Sequence, residues 1–307
     1  MPALDPKRLI ELLRIAQHGS YTRAAAAQGV SQPALSNSMA VLEKSLGVRV
    51  LERARHGATL TDVGRMLVGH AEAIDAVLAR AASDVELKQH GLEGSLILGV
   101  SPIACADIVP DALARLKREI PNIAIHVWER PDDDLTASLR SGEIDVMISP
   151  TGLMTDPPDI ECHVLLHDIF VVILRREHAL ARLNSVSLSE LRGQEWVMPN
   201  EHTTMRRQIE ALFAAENEPW PMSCITTDSI TGMKSIVIRS NCVSVASARL
   251  MRLEAQAGYL ACLPLSKPHF VREICLRHRR QGSLTPVAQR FIATIHAVAK
   301  EMRRAGL

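Results

Sequence analysis

The sequence predicts a multidomain α+β protein in three successive parts: a small helical domain with a β-hairpin, one long helix, and two α/β lobes. Three observations indicate this arrangement. Apolar residues recur at helical spacing over the first 45 residues, and an apolar series continues at intervals of three or four from Val63 to Val85. Extended and helical segments alternate from Ser95 onward, as in α/β domains. A chain of 307 residues is long enough for more than one domain.

The charge distribution favours a nucleic-acid partner for the first part. The net charge is +1, but residues 1–60 hold eight Lys and Arg against four acidic residues. A basic module on a mildly acidic body is typical of nucleic-acid binding. The first 13 residues carry charges and show no signal peptide, and no apolar run reaches the roughly 18 residues of a membrane span. We therefore expect a soluble, cytoplasmic protein with no membrane partner.

The first part has the spacing of a helix-turn-helix. Helices are predicted at 9–17 and 21–28, and Gly29 supplies the turn before a third helix. Ser31 is placed to cap that helix and Pro33 stands in its first turn, where its missing N–H costs nothing. Leu35, Met39 and Leu42 form its buried stripe. The opposite face is short and polar, with Gln32, Ser36 and Asn37. Gln and Asn side chains can pair with the N6/N7 edge of adenine, so this face is predicted to read a DNA major groove.

A β-wing is predicted after this helix. Two short extended pieces flank residues 54–57, where Arg53, Arg55 and His56 stand close together. The functional interpretation is contact with DNA phosphates or the minor groove, and the alternative is a solvated turn. Tyr21 and Thr22 are assigned to the DNA backbone together with Arg53 and Arg55.

The long helix is predicted to run from Thr61 to about Gln89. Its apolar positions follow the spacing of a coiled-coil seam: Val63, Leu67, Ala71, Ile74, Leu78, Ala81 and Val85. At 1.5 Å per residue it would span about 40 Å. A helix of that length with an apolar face needs a partner to bury that face, and the simplest partner is a second copy of the same helix. We therefore expect a homodimer through this helix.

The βαβαβ order of residues 95–149 predicts a largely parallel sheet in an α/β domain. A second, similar α/β run follows, which predicts two lobes with a cleft. Ligands of such sheets bind outside the carboxyl ends of the strands, and helix starts there favour an anion. A small carboxylate is therefore the predicted effector class. The candidate residues are Ser101, Pro102, Ile103, Glu129, Arg130, Ser149, Thr151, His202, Thr203, Thr204, Thr227 and Ser229. The alternative is that the hydroxyl groups among them only cap helices.

Two other functional classes compete with a regulator. The sequence contains no HExxH, Walker or Gly-x-Ser-x-Gly motif, which argues against an enzyme, a metal site or a cofactor. His163 and His167 lie four apart in an apparently extended segment and need not share a face. Six scattered cysteines without a CxxC pair indicate buried thiols in a reducing compartment. A cysteine-based redox switch is the alternative, although residues 200–219 hold no cysteine.

The chain resembles the LysR-type transcriptional regulators. The matching N-terminal residues include Gly19-Ser20-Tyr21-Thr22, Val30 to Ser36 (VSQPALS), Leu42-Glu43, Leu46-Gly47 and Leu60-Thr61. The later stretches Ile108-Val109-Pro110, Pro121-Asn122-Ile123 and 139–145 are also similar to the family. Asn37 departs from the family, which often has Arg at this position.

The resemblance implies a winged helix-turn-helix, a dimerising linker helix and a two-lobed effector domain similar to periplasmic binding proteins. On this basis the predicted domains are 1–60 for DNA binding, 61–91 for the linker, and 92–307 for effector binding. Lobe I takes 92–166 and 269–307, and lobe II takes 167–268. The implied partners are promoter DNA, a small effector in the interlobe cleft, further copies forming a homotetramer, and RNA polymerase. The predicted DNA-binding residues of the third helix are Ser31, Gln32, Pro33, Ala34, Ser36 and Asn37, and among them Gln32, Pro33, Ser36 and Asn37 are predicted to read base edges.

Overall fold

The computed structural model describes residues 4–54, 57–89, 91–151, 155–201, 203–266, 271–281 and 284–305. The helices are α1 (Pro6–His18), α2 (Tyr21–Gln28), α3 (Gln32–Leu46), α4 (Asp62–Gln89), α5 (Pro102–Ala106), α6 (Ile108–Glu119), α7 (Asp132–Ser141), α8 (Thr204–Ala215), α9 (Ile230–Arg239), α10 (Arg252–Gln256) and α11 (Pro286–Arg304). The strands are β1 (Leu51–Ala54), β2 (Gly57–Leu60), β3 (Ser95–Val100), β4 (Ala124–Glu129), β5 (Val146–Pro150), β6 (Ile160–Arg175), β7 (Trp196–Pro199), β8 (Cys224–Thr227), β9 (Ser244–Ser247), β10 (Leu260–Pro264) and β11 (Val271–Arg279).

The chain divides into two compact units. The first comprises Met1–Ile97, Asn122–His126 and Thr136–Asp145, and the second comprises Leu98–Pro121, Val127–Leu135 and Val146–Leu307. The first unit holds the three short helices and the long helix, and the second holds most of the α/β region. Among the residues described, no helix is long and apolar enough to cross a membrane.

The predicted winged helix-turn-helix is confirmed in the first unit. Asp5 caps α1, Ser20 caps α2 and Ser31 caps α3, each by accepting a backbone N–H bond in the first turn. Gly19 and Gly29 end α1 and α2 in the left-handed region, which an L side chain rarely adopts. β1 and β2 pair antiparallel from Leu51↔Leu60 to Ala54↔Gly57 and form the wing.

Helix α4 shares the core of this N-terminal domain. Leu67 and Ala71 are buried there, and Val63 and Ile74 pack against the same cluster. Arg14 of α1 donates to both carboxylate oxygens of Asp75 at 2.8 and 2.9 Å, which ties α1 to α4. The first half of the predicted seam therefore packs within its own domain. In the second half, Leu78 is 58% exposed and Val85 is 60% exposed.

The large sheet is mixed: the predicted parallel pairing is found between β3 and β5 of the first run, but it does not extend to the sheet as a whole. Its strand order is β10-β6-β11-β5-β3-β4, with β9 also paired to β6. β3 and β5 are parallel, but β11 pairs antiparallel with both β5 and β6. A separate pair, β7 and β8, is parallel. The sequence pattern did not reveal that the returning strand β11 inserts between β5 and β6.

Strand β6 joins the two lobes of the second unit. Its first part pairs with β11, and its later part pairs with β9 and β10. Phe170, Val172 and Leu174 enter one hydrophobic cluster, whereas Val171 and Ile173 enter another. Because alternate residues of a strand point to opposite faces, apolar packing covers both faces of this sheet in the second lobe.

Candidate functional site

The polar face of α3 is exposed, as a DNA-reading face requires. Gln32, Pro33, Ala34 and Asn37 are exposed and Ser36 is half-buried. On the opposite side Leu35, Met39 and Leu42 are each only 1% exposed. Ser31 Oγ accepts from the N–H of Ala34 at 3.3 Å, which fixes the first turn of the helix. The residues predicted to contact bases therefore lie together on one solvent-facing surface.

The end of α3 is joined to the start of the wing by one carboxylate. Glu43 Oε1 accepts from the N–H groups of Val50 and Leu51 at 2.8 and 3.2 Å. Thr61 Oγ1 donates to the carbonyl of Arg49 at 2.9 Å and accepts from Gly64 N–H at 3.0 Å. These bonds set the position of the wing relative to the reading helix.

The remaining predicted DNA contacts are only partly described. Thr22 is exposed and Tyr21 is half-buried against the domain core. The backbone of Arg53 lies in β1, at the wing. Arg55 and His56 lie outside the described residues.

A cavity of about 430 Å³ lies in the second unit and collects most of the predicted effector residues. Its size is within the range of small-molecule sites. Of the predicted residues, the cavity is lined by Ser101, Pro102, Ile103, Glu129, Arg130, Thr203, Thr204, Thr227 and Ser229. They come from the starts of α5, α8 and α9 and from the ends of β4 and β8, as the carboxyl-end rule predicts.

Among these hydroxyl groups, that of Ser101 has no hydrogen-bond partner in the described part of the chain. The residue is 5% exposed, stands before α5 and makes no side-chain capping bond. Its buried Oγ has no hydrogen-bond partner among the described residues. A buried hydroxyl without a partner costs free energy, and a polar group of a ligand in the cavity would satisfy it.

Two other hydroxyl groups do cap helices, which was the alternative interpretation. Thr203 Oγ1 accepts from Arg206 N–H at 3.1 Å, and Ser229 Oγ accepts from Gly232 N–H at 3.0 Å. Their helices, α8 and α9, both begin at the cavity. The positive ends of two helix dipoles therefore lie beside the space, an arrangement that favours an anion.

Charged side chains of both signs line the cavity. The acidic lining residues are Glu129, Asp132 and Asp228, and the basic ones are Arg130, Arg207 and Arg272. Arg272 Nε donates to the buried carboxylate of Asp168 at 2.8 Å, and its Nη1 donates to Gln208 at 2.9 Å. Its guanidinium also lies over the ring of Phe170, 4.7 Å from the centroid. Arg272 is thus held in one position, with much of its charge balanced by Asp168.

The sequence prediction missed part of the lining and misplaced two residues. Arg207, Gln208 and Arg272 were missed, together with the apolar lining residues Met205, Ile230, Met233 and Leu250. Ser149 and Thr151 do not line the cavity. Ser149 Oγ instead accepts from Arg277 at 3.0 Å, and Thr151 bonds to the backbone of Glu273, because antiparallel β11 covers this end of β5. His202 lies outside the described residues.

Trp128 lies neither in the cavity lining nor in the buried core. It is half-buried in β4, and the guanidinium of Arg130 stacks over its ring, 4.4 Å from the centroid.

The six cysteines are not in disulfides, and the side chains of Cys162 and Cys275 interact with each other. Cys162 on β6 and Cys275 on β11 are diagonal neighbours across the two strands, since Cys275 stands opposite Val164. Diagonal Cα atoms are about 7–8 Å apart, beyond the usual disulfide range. Burial raises the pKa of the Cys262 thiol to about 11. Burial, helped by the charge of Glu129, also raises the pKa of Cys105.

An exposed reading helix with a wing and a separate ligand cavity define a DNA-binding regulator with an effector-binding domain. The family model for bacterial regulatory helix-turn-helix proteins of the lysR family matches residues 7–65. The LysR substrate binding domain model matches residues 89–300. The chain therefore belongs to the LysR family of transcriptional regulators, and it is a regulator rather than an enzyme.

Named relatives agree with this assignment. The regulator GalR of Pseudomonas putida is 28% identical over 275 residues, covering 89% of this chain and 68% of that protein. The regulator GbpR of Azospirillum brasilense is 27% identical, covering 94% and 85%.

Three solved structures share the fold. A full-length OxyR variant of Pseudomonas aeruginosa is similar with a TM-score of 0.64 at 23% identity, covering 97% of this chain and 95% of that one. Full-length CbnR in complex with its target DNA has a TM-score of 0.63 at 19% identity, covering 96% and 100%. The effector domain of QuiR in complex with shikimate has a TM-score of 0.58 at 20% identity, covering 68% and 98%.

Proposed function

We propose that this regulator binds a small organic or aromatic carboxylate in the cavity, and that the ligand changes how the protein binds or bends promoter DNA. The observation that carries the proposal is the orphan hydroxyl of Ser101 beside the starts of α8 and α9. A carboxylate would accept from this hydroxyl and lie near the positive ends of two helices. The shikimate held by QuiR is also a carboxylate, which supports the same class.

The rest of the proposal concerns assembly and location. We infer that Gln32, Pro33, Ser36 and Asn37 read bases, while Tyr21, Thr22, Arg53 and Arg55 hold the DNA backbone. The exposed half of the α4 seam supports a homodimer, with a homotetramer as the next level. RNA polymerase at the promoter is a further partner under this proposal. We infer a cytoplasmic location, where a bacterial regulator of this family meets promoter DNA.

A thermal-shift titration of the full-length protein tests the carboxylate. Short aliphatic and aromatic acids are compared one by one with their neutral amides. We expect at least one acid to raise the unfolding midpoint with concentration, and its amide to raise it less, because only the acid carries the charge. We expect Ser101→Ala to weaken the binding of that acid roughly 10- to 100-fold, which is the range for the loss of a hydrogen bond to a charged group.

The control is Ser149→Ala, a buried serine that does not line the cavity, and it should leave the affinity unchanged. Without ligand, Ser101→Ala should unfold at the same temperature as the natural protein or slightly above it, since it removes an unsatisfied buried group. Amides that bind as well as acids would contradict the carboxylate class. If Ser101→Ala binds the acid with unchanged affinity, the proposal that the acid binds in this cavity is wrong.

A redox switch is the alternative, and the proximity of Cys162 to Cys275 is what favours it. These two residues already sit on hydrogen-bonded strands, so a disulfide between them would require a local shift of the strands rather than a new fold. Under this alternative no acid would raise the unfolding midpoint, and hydrogen peroxide would change DNA binding.

A further inference from the structure

A cluster of imidazole and carboxylate groups stands on the sheet away from the residues that line the cavity. Glu161 and His163 alternate along β6, so they share one face. His278 of β11 stands directly opposite Glu161, and therefore lies on that same face. One donor atom from each of the three residues lies within 4.8 Å of the other two. Within the cluster, His163 Nε2 and Glu161 Oε1 are 3.2 Å apart.

We propose that Glu161, His163 and His278 form a binding site for a divalent transition metal ion of the zinc type. Two histidines and one glutamate are a donor set that Zn²⁺ takes in proteins, with water in the fourth position. Ligand bonds of about 2.0–2.2 Å place donors roughly 3.4 Å apart around a tetrahedral ion. Small side-chain rotations would close the present separations to that value.

The tautomer of His278 suits this role. Its Nδ1 lies 2.9 Å from the carbonyl oxygen of Arg279. Because a carbonyl can only accept, Nδ1 carries the proton in the neutral ring, and Nε2 then keeps its lone pair. Metal-binding histidines commonly donate their other ring N–H to a backbone carbonyl in this way, which fixes the ring.

The rings of the cluster contact one another, and the site is open to an ion from solvent. The rings of His163 and His278 are stacked, with centroids 5.6 Å apart. His296 of α11 packs edge-on against His163, with ring centroids 5.7 Å apart. The side chains of Glu161 and His163 are each 39% exposed, so an ion can reach them from solvent.

The same strand supplies a matched control. His167 also faces a glutamate, Glu273, with 3.9 Å between its Nε2 and the carboxylate. A register shift in the β6–β11 pairing lies between the two sites and puts His167 on the other face. His167 therefore offers a histidine and glutamate pair outside the proposed metal site.

Isothermal titration of the untagged full-length protein with Zn²⁺ alone tests the site. We expect one ion per chain at micromolar affinity or tighter. His163→Gln and His278→Gln should each weaken binding at least tenfold, and His167→Gln should leave it unchanged.

Two results would overturn the proposal. One is the absence of Zn²⁺ binding by the natural protein at 100 µM. The other is a His278→Gln variant that binds as tightly as the natural protein. Thermal unfolding in EDTA establishes whether each variant is folded. If His278→Gln is not folded, His163→Gln provides the test. A Co²⁺ complex should show tetrahedral visible absorption that both ligand variants lose.

Discussion

At the scale of single residues, the amide side chains proposed to read bases are exposed and take no part in the domain core. Gln32 is exposed on the first turn of α3, and Asn37 lies on the same face one turn further on. Neither side chain supports the domain core, so their amides are available to the edges of bases. Arg53 differs in kind, since a wing arginine would contact phosphate and carry no sequence information.

We expect Gln32→Ala to cost about 1–3 kcal/mol of binding free energy on the preferred DNA site and to relax base choice there. Selection of bound sequences from a random DNA pool measures both effects. Gln89→Ala is the control, because this exposed glutamine lies at the far end of α4. A selected sequence identical to that of the natural protein would show that Gln32 reads no base.

We expect Arg53→Ala to act differently. It should weaken binding to all DNA sequences about equally and lower the salt dependence of binding, because a phosphate contact releases counterions wherever it forms. Binding measured at several salt concentrations on specific and random DNA separates the two effects. A change of sequence preference in Arg53→Ala would contradict the phosphate assignment.

At the scale of elements, the junction of the wing with α4 depends on a glycine. A Cβ atom added at Gly64 would lie 2.1 Å from the carbonyl oxygen of Val50, which is a severe clash with backbone. The same carbonyl accepts from Thr61 N–H at 3.1 Å, so it cannot move without breaking that bond. Gly64 therefore allows the wing and the start of α4 to approach closely.

We expect Gly64→Ala to lower the free energy of unfolding of the N-terminal domain by about 1–3 kcal/mol, as overpacking does. Gly69→Ala in the same helix is the matched control, since its new Cβ would meet nothing within 4 Å. Alanine favours helix over glycine by up to about 1 kcal/mol, so this control should stabilise the domain. Denaturation followed by circular dichroism compares the two variants, and equal effects would contradict the close approach.

At the scale of the whole molecule, α4 leaves apolar residues in solvent after its first half. Val77, Leu78 and Val85 are 66%, 58% and 60% exposed within a single chain. An apolar series at coiled-coil spacing is buried most simply by a second copy of the helix.

The proposed homodimer predicts that Leu78→Glu shifts the protein toward monomer, because it places a charge in the apolar seam. Leu253→Glu is the control, since Leu253 of α10 is similarly exposed at 64% and lies outside that helix. Sedimentation velocity over a range of protein concentrations measures the shift. If Leu78→Glu and the natural protein sediment alike, the seam is not the dimer contact.

Local patterns along the chain were sufficient to predict the N-terminal domain and the positions of most cavity residues. The caps, the glycine turns and the apolar stripe of α3 are local signals, so Ser31, Gly29 and Leu35 could be interpreted without tertiary contacts. Strand ends followed by helix starts are also local, and this is why Ser101, Thr203 and Ser229 were predicted to lie together.

Which of these groups have partners, and which strands meet, depends on the packed structure. Thr203 and Ser229 use their hydroxyl groups as helix caps, whereas Ser101 does not, and a sequence cannot distinguish these cases. Because β11 inserts between β5 and β6, Ser149 bonds to β11 rather than lining the cavity, and Arg272 of β11 lines the cavity. The same insertion brings His278 opposite Glu161, which is distant in the chain. Such pairings depend on long-range strand order, for which spacing along the sequence carries no signal.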